Sequence, residues 1–287
     1  MSPLDVPAGA ESRARTDHSL ADLESRLRPS ERMPVLFVGH GNPMHAIREN
    51  DYTRTWEAEG RLLPRAQAVV VVSAHWLTPG RTHVTDAPRN RIIYDFGGFP
   101  DELYRVRYDT VGDHEVARVL AQHLVEYEAA LDAQWGLDHG TWSVLKYLDP
   151  APTVPVLQVS IDPTMPLPRA YELYGRLRRL RDQGVLFIGS GNIVHALGRA
   201  RWAPGSQPWD WAEQFDADTA LALRERRVDA LLDPYATWDE ARIAVPTDDH
   251  YRPMVAALSL LHPGEDIRFF NESIDMGSIG MRSFVTA

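Results

Sequence analysis

Cysteine is absent from all 287 residues. That excludes disulfides, thiolate nucleophiles and thiolate metal sites together, so any metal must be held by nitrogen or oxygen donors. No apolar stretch approaches the roughly 18 residues that a membrane span requires, and the polar first thirty-odd residues lack the apolar segment of a signal peptide. A cytoplasmic protein is therefore expected. Positive charge is also in short supply: 30 Lys and Arg against 40 Asp and Glu leave a formal net charge of −10, with no basic stripe to oppose it. A phosphate backbone or an anionic bilayer is repelled by such a chain, so neither nucleic acid nor membrane is an expected partner. The longest basic cluster, "RLRRLRDQ", reads as a solvated helix face. Fixed-period repeats, low-complexity segments and a Gly/Ser/Pro linker are missing as well, which argues for one domain.

What is present is an ordinary globular composition, 44% hydrophobic and 24% charged, in a chain long enough to bury a large core. Short, β-branched apolar runs bounded by turn residues occur at 34–38 (PVLFV), 68–73 (AVVVVS), 154–161 (VPVLQVSI) and 185–190 (VLFIGS), the pattern of strands buried on both faces. Helical spacing covers 46–62, 113–130, 168–182 and about 209–232. Alternation of the two predicts an α/β fold: a single three-layer domain with a central mixed or mostly parallel sheet and helices on both faces. In the polar leader, Leu20, Leu23 and Leu27 are spaced for a short amphipathic helix that Pro29 stops. The stretch 76–111, rich in Pro, Gly and aromatics, is too long for an ordinary connection and reads as the wall or lid of a pocket.

Histidines mark the carboxyl ends of three of those strands. His40 stands between two glycines after the first, His75 follows the second in "VVVVSAHW", and His195 follows the fourth in "FIGSGNIVH". His250 precedes a later helix in "PTDDHYRPM", and His139 lies in "GLDHGTW". Open α/β sheets gather ligands at this edge, so the shared position points to a metal or acid/base site. Imidazole donors without thiols suit an open catalytic metal, iron or zinc among others. On spacing alone, Asp248 or Asp249 competes with His250 for the third ligand position. His195 is expected on the first turn of a helix, where the dipole disfavours imidazolium. "IGSGN" lacks the first glycine of a serine-hydrolase elbow, and "GSGNIV" ends on Val194 where a dinucleotide fingerprint needs Gly or Ala.

The motifs "GHGNPMHA", "VVVVSAHW", "YDFGGFP", "GLDHGTWSVL", "QVSID", "GSGNIVHAL" and "PTDDHYRPM", in this order, resemble the DODA-type branch of the class III extradiol ring-cleavage dioxygenases. The likeness runs from about residue 33 to 285, which divides the chain into a polar extension, 1–32, and a catalytic domain, 33–287. It implies His40, His75 and His250 as metal ligands, with His195 as acid/base and able to approach the metal. His139 is implied as a second catalytic histidine that stabilises developing charge. Fe(II) is the cofactor implied for activity, with zinc a possible bound metal. The implied reaction opens a catechol such as L-DOPA next to its diol with O2, and the implied partners are that small molecule and O2. Tyr94, Trp142 and Arg252 are candidate substrate contacts, and a monomer or small homo-oligomer is expected. A zinc hydrolase on the same histidines is the alternative; a Memo-like binding module without enzymatic activity is a weaker one.

Overall fold

The computed structural model describes residues 26–203 and 205–286. Among them the apolar runs become strands β1 (Val35–Gly39), β2 (Ala68–Ser73), β3 (His83–Thr85), β4 (Ala130–Asp132), β5 (Val156–Gln158) and β6 (Val185–Gly191), followed by β7 (Ile267–Phe270), β8 (Ile274–Asp275), β9 (Ile279–Gly280) and β10 (Ser283–Thr286). Six of them form the central sheet in the order β5-β2-β6-β1-β10-β7. The β5, β2, β6 and β1 pairings are parallel, whereas β10 pairs antiparallel with both β1 and β7. The sheet is thus mixed.

Alternate side chains of each buried strand enter two different cores. Val35 and Phe37 of β1 and Val70 and Val72 of β2 join one face; Leu36, Val38, Val69 and Val71 join the other. Helices α1 (Asp51–Leu62), α2 (His114–His123), α3 (His139–Leu148), α4 (Leu167–Gly175), α5 (Asp210–Arg224), α6 (Val228–Leu232), α7 (Pro234–Thr237), α8 (Ala241–Ala244) and α9 (Arg252–Ser259) cover them. α1 and α3 bring Trp56, Trp142 and Leu145 to the second face, while α2, α4, α5 and α9 bring Val119, Leu173, Phe215 and Met254 to the first. Both faces of the sheet are covered, which is the three-layer arrangement that continuous apolar strands require.

Element boundaries differ from the expectations where local geometry intervenes. The helix expected over 46–62 starts at Asp51, where Asn50 and Thr53 exchange side chain to backbone hydrogen bonds as a capping pair. The 113–130 pattern stops at His123 and delivers β4 instead. The 209–232 pattern breaks at Arg226, which takes φ +56° between α5 and α6. α3 was not anticipated; Asp138 starts it by accepting the Thr141 N–H. Of the leader helix, Leu20 and Leu23 lie outside the described residues, while Leu27 is buried against the first core. No helix among the described residues is long and apolar enough to cross a membrane.

Candidate metal centre and active site

β1 ends at Gly39 and passes the chain to His40, whose N–H donates to the Gly191 carbonyl of β6 at 3.0 Å. Both flanking glycines have a steric cause. A Cβ on Gly39 would stand 2.7 Å from the carbonyl carbon and oxygen of Met281, and Gly41 takes φ +64°. His75 follows β2 after one residue, His139 opens α3, and His250 lies two residues before α9. Strands β1 and β2 are parallel to β6, so their carboxyl ends open on one edge and the imidazoles meet there.

His40 Nε2 and His75 Nε2 are 3.1 Å apart. One nitrogen from each of His40, His75 and His250 lies within 4.8 Å of the others. The protons on these rings are assigned by their outer partners. Ser190 donates its hydroxyl to the Gly140 carbonyl at 2.6 Å, so toward His40 Nδ1, 3.0 Å away, it acts as acceptor. That holds the proton on Nδ1 and leaves Nε2 as a lone pair. The Asp95 carboxylate lies 3.2 Å from His75 Nδ1, and Asp249 pairs with His250 Nδ1, with the same consequence for each ring. Bare Nε2 lone pairs converging in a buried place repel one another unless a cation lies between them. Nitrogens bound at about 2.1 Å to one ion, at 90–110°, stand roughly 3.0–3.4 Å apart. The His40–His75 spacing therefore fits a ligand pair, and the donor set fits a divalent ion.

Electrostatics agree with that assignment. Burial first, then the neighbouring imidazoles, holds His40 and His75 well below the usual imidazole value. Burial and His250 push His195 down to about 2. Neutral imidazole is the form that ligates a metal or accepts a proton. For Asp95, burial favours the neutral acid, but the hydrogen bond and charge of His139 outweigh it and the net shift is downward. Asp95 accepts from both His139 Nδ1 and the His139 backbone N–H, each at 2.9 Å. Asp249 is likewise held below the usual carboxylate range: His250 prevails over burial.

His195 stacks on His250, ring centroids 3.4 Å apart and 9° from parallel, and shares a nitrogen and oxygen cluster with Asp249 and His250. It does not begin a helix. Its N–H donates to the Ala244 carbonyl and it forms a β-bridge with Ile279, so burial, in place of a helix dipole, keeps it neutral. Asp248 is used elsewhere, in a forked ion pair with Arg252.

These histidines line a cavity of about 380 Å³ together with Asn42, Asp95, Phe96 and Phe99, so the 76–111 stretch does supply one wall. Of the three expected substrate contacts, Tyr94, Trp142 and Arg252, none lines this cavity. Arg252 is 4% exposed and spends its guanidinium on Asp248 and on the carbonyls of Asp162, Pro163 and Met165. Trp142 is fully buried with Nε1 donating to the Ile93 carbonyl. Tyr94 donates its hydroxyl to the Val106 carbonyl behind Phe96. Asp95 and Ser190 were missed as orienting residues. Asp95 lies inside the "YDFGGFP" motif, and Ser190 sits where the sequence invited only a failed nucleophile reading.

The fold and this histidine edge define a class of protein, and comparison agrees. The family model described as the catalytic LigB subunit of aromatic ring-opening dioxygenase matches residues 33–276, and the chain belongs to that family. It is an extradiol dioxygenase of class III, an oxidoreductase. Among individual relatives, the 4,5-DOPA dioxygenase extradiol of Escherichia coli (strain K12) is 39% identical over 257 residues, 88% of this chain and 94% of that protein. The 4,5-DOPA dioxygenase extradiol of Beta vulgaris is 30% identical over 258 residues, 87% of this chain and 95% of that one. A crystal structure of an uncharacterized protein from Escherichia coli K12 superposes with a TM-score of 0.78 at 35% identity, covering 89% of this chain and all of that one.

Proposed function

We propose that the protein opens a catechol ring next to its diol, with His40, His75 and His250 holding Fe(II) and with O2 as co-substrate. Both oxygen atoms stay in the product, a semialdehyde bearing one carboxylate and one aldehyde. The observation that carries this reading is the 3.1 Å approach of His40 Nε2 to His75 Nε2, with Ser190 and Asp95 against the opposite ring nitrogens. Fe(II) bound there supplies Lewis acidity toward the diol and a redox path between catechol and O2, whereas zinc fits the same donors without the redox step.

The chain's own residues then have separate tasks. His195 lies on the cavity wall stacked against His250, where an imidazole nitrogen can take a catechol hydroxyl proton and later return it. His139 is fixed through Nδ1 by Asp95, which leaves its other edge toward the cavity to face charge developing on the reacting oxygens. Phe96 and Phe99 give the ring an apolar wall and keep water from it.

Anaerobic loading with Fe(II), addition of a catechol panel and recording of oxygen uptake test the reading. Uptake matched one-to-one by semialdehyde is expected, zinc-loaded protein should show none, and His40→Ala should lose metal and uptake together. Full iron occupancy with no uptake on any catechol would overturn it in favour of metal-assisted hydrolysis.

A further inference from the structure

Beyond the imidazoles, Asp95 and Asn42, the cavity's side chains are apolar, among them Phe96, Phe99, Leu197, Trp202, Met276 and Ile279. Leu197 and Trp202 keep 50% and 67% of their surface exposed, so large apolar side chains stand in water at the margin of a binding cavity. The acidic group on the wall is Asp95, already shared by His139 and His75. Asn42 contributes a neutral amide, its Oδ1 taken by the Met44 N–H at 2.9 Å and its NH2 facing Met276 Sδ at 3.7 Å. No lysine or arginine is among the described lining residues. Of the neighbouring cations, Arg201 and Arg107 are engaged elsewhere, while Arg199, two residues beyond Leu197, is exposed outside the lining. Arg201 lies 3.6 Å over the Trp209 ring with Nη1 on the Gln207 carbonyl, and Arg107 is held by the Tyr94 hydroxyl and backbone carbonyls.

A catechol enters with its diol toward His40, His75 and His250, so its ring substituent is what meets this wall. We propose that the preferred substrate carries an apolar, uncharged substituent, an alkyl or aryl chain instead of a carboxylate or an amino-acid chain; the inference rests on the catechol reading above. A carboxylate laid against this wall gives up part of its water and finds no lysine or arginine of the lining in exchange. Each methylene laid against Phe99, Leu197 or Trp202 instead gains roughly fourfold in affinity.

The test uses zinc-loaded protein for calorimetric binding and Fe(II)-loaded protein for oxygen uptake. Its ligands are 4-butylcatechol, catechol, 3,4-dihydroxyphenylpropionate and L-DOPA. 4-Butylcatechol should bind tightest, by roughly tenfold or more over the two charged compounds, the cost of partly desolvating a polar group without a partner. Trp202→Ala should weaken 4-butylcatechol roughly tenfold, as the loss of one or two covered methylenes would. Leu197→Arg, at an exposed position, should raise affinity for the propionate and narrow the gap. Equal or tighter binding of the charged compounds would overturn the inference, and a carboxylate preference abolished in Arg199→Ala would transfer recognition to that exposed guanidinium. The expected binding order without oxygen uptake on any ligand would count against ring cleavage and leave the substituent preference standing. Uptake restricted to the charged catechols would do the reverse, and failure of every catechol to bind would overturn both.

Discussion

Replacing Asp95 by asparagine separates the work of a carboxylate from that of its shape. Oδ2 faces His139 Nδ1 at 2.9 Å and His75 Nδ1 at 3.2 Å, while Oδ1 accepts the His139 backbone N–H at 2.9 Å. An asparagine side chain has one acceptor oxygen where the carboxylate has two. With its oxygen toward the rings, the NH2 group confronts the His139 backbone N–H; with its oxygen toward that N–H, the NH2 group confronts two imidazole N–H groups. Either way, at least one charge-assisted hydrogen bond is lost, each worth roughly 1.5–3 kcal/mol. The His75 proton is then free to move to Nε2, the atom that faces His40. Outer-partner changes of this kind cost about 10- to 100-fold in metal affinity, or roughly 1.4–2.8 kcal/mol. Competition against a chromophoric chelator should show that loss for Asp95→Asn. Oxygen uptake should stay reduced at saturating Fe(II), because His139 has lost its orientation. Melting of the metal-free variant checks that the fold survives. Metal affinity within twofold of the parent, together with unchanged uptake, would refute the claim that Asp95 sets the ring tautomers.

Other outcomes follow from the same contacts. His195→Gln should retain most of its metal and still bind catechol anaerobically while turnover falls roughly 100- to 10,000-fold; metal loss as complete as in His40→Ala would make His195 an obligatory ligand. Ser190→Ala removes the acceptor for His40 Nδ1 and the donor to the Gly140 carbonyl, so thermal unfolding should show a loss of about 1–3 kcal/mol, and an unchanged melt would contradict the buried pairing. If His250→Ala kept full metal while Asp249→Ala lost it, the third ligand would be the carboxylate. Acid should destabilise the metal-free protein, because burial lowers the folded-state values of His40, His75 and His195 below the unfolded imidazole value of about 6.5. Their contribution is complete above pH 6.5 and declines as the pH falls, since the unfolded chain takes up protons that the folded one refuses, with a slope of up to about 4 kcal/mol per pH unit. Urea melts at pH 7.5 and 5.5 measure it; equal stabilities would contradict the assignment of neutral buried rings.

Reading the chain alone placed β1, β2 and β6 and the histidines that follow them, because those signals are local. A strand buried on both faces must be apolar at every position, and its end is marked where glycine and histidine interrupt the run. The convergence of His40 and His75 follows once β1 and β2 both pair in parallel with β6, and His250 joins them because its carbonyl accepts the Asn192 N–H just past β6. Other features depended on distant partners. β7 and β10 are four residues each and are strands because β10 pairs antiparallel with β1, some 250 positions earlier. Arg252 beside His250 reads as a substrate cation, yet the fold brings the carbonyls of 162–165 to it and Asp248 lies one helical turn away. Asp95 and Ser190 acquire meaning only when the fold sets them against rings 44 and 150 positions away. Residue type and spacing decide which groups can ligate; which nitrogen holds the proton, and which charge is already spent, are decided by the partners that folding brings against them.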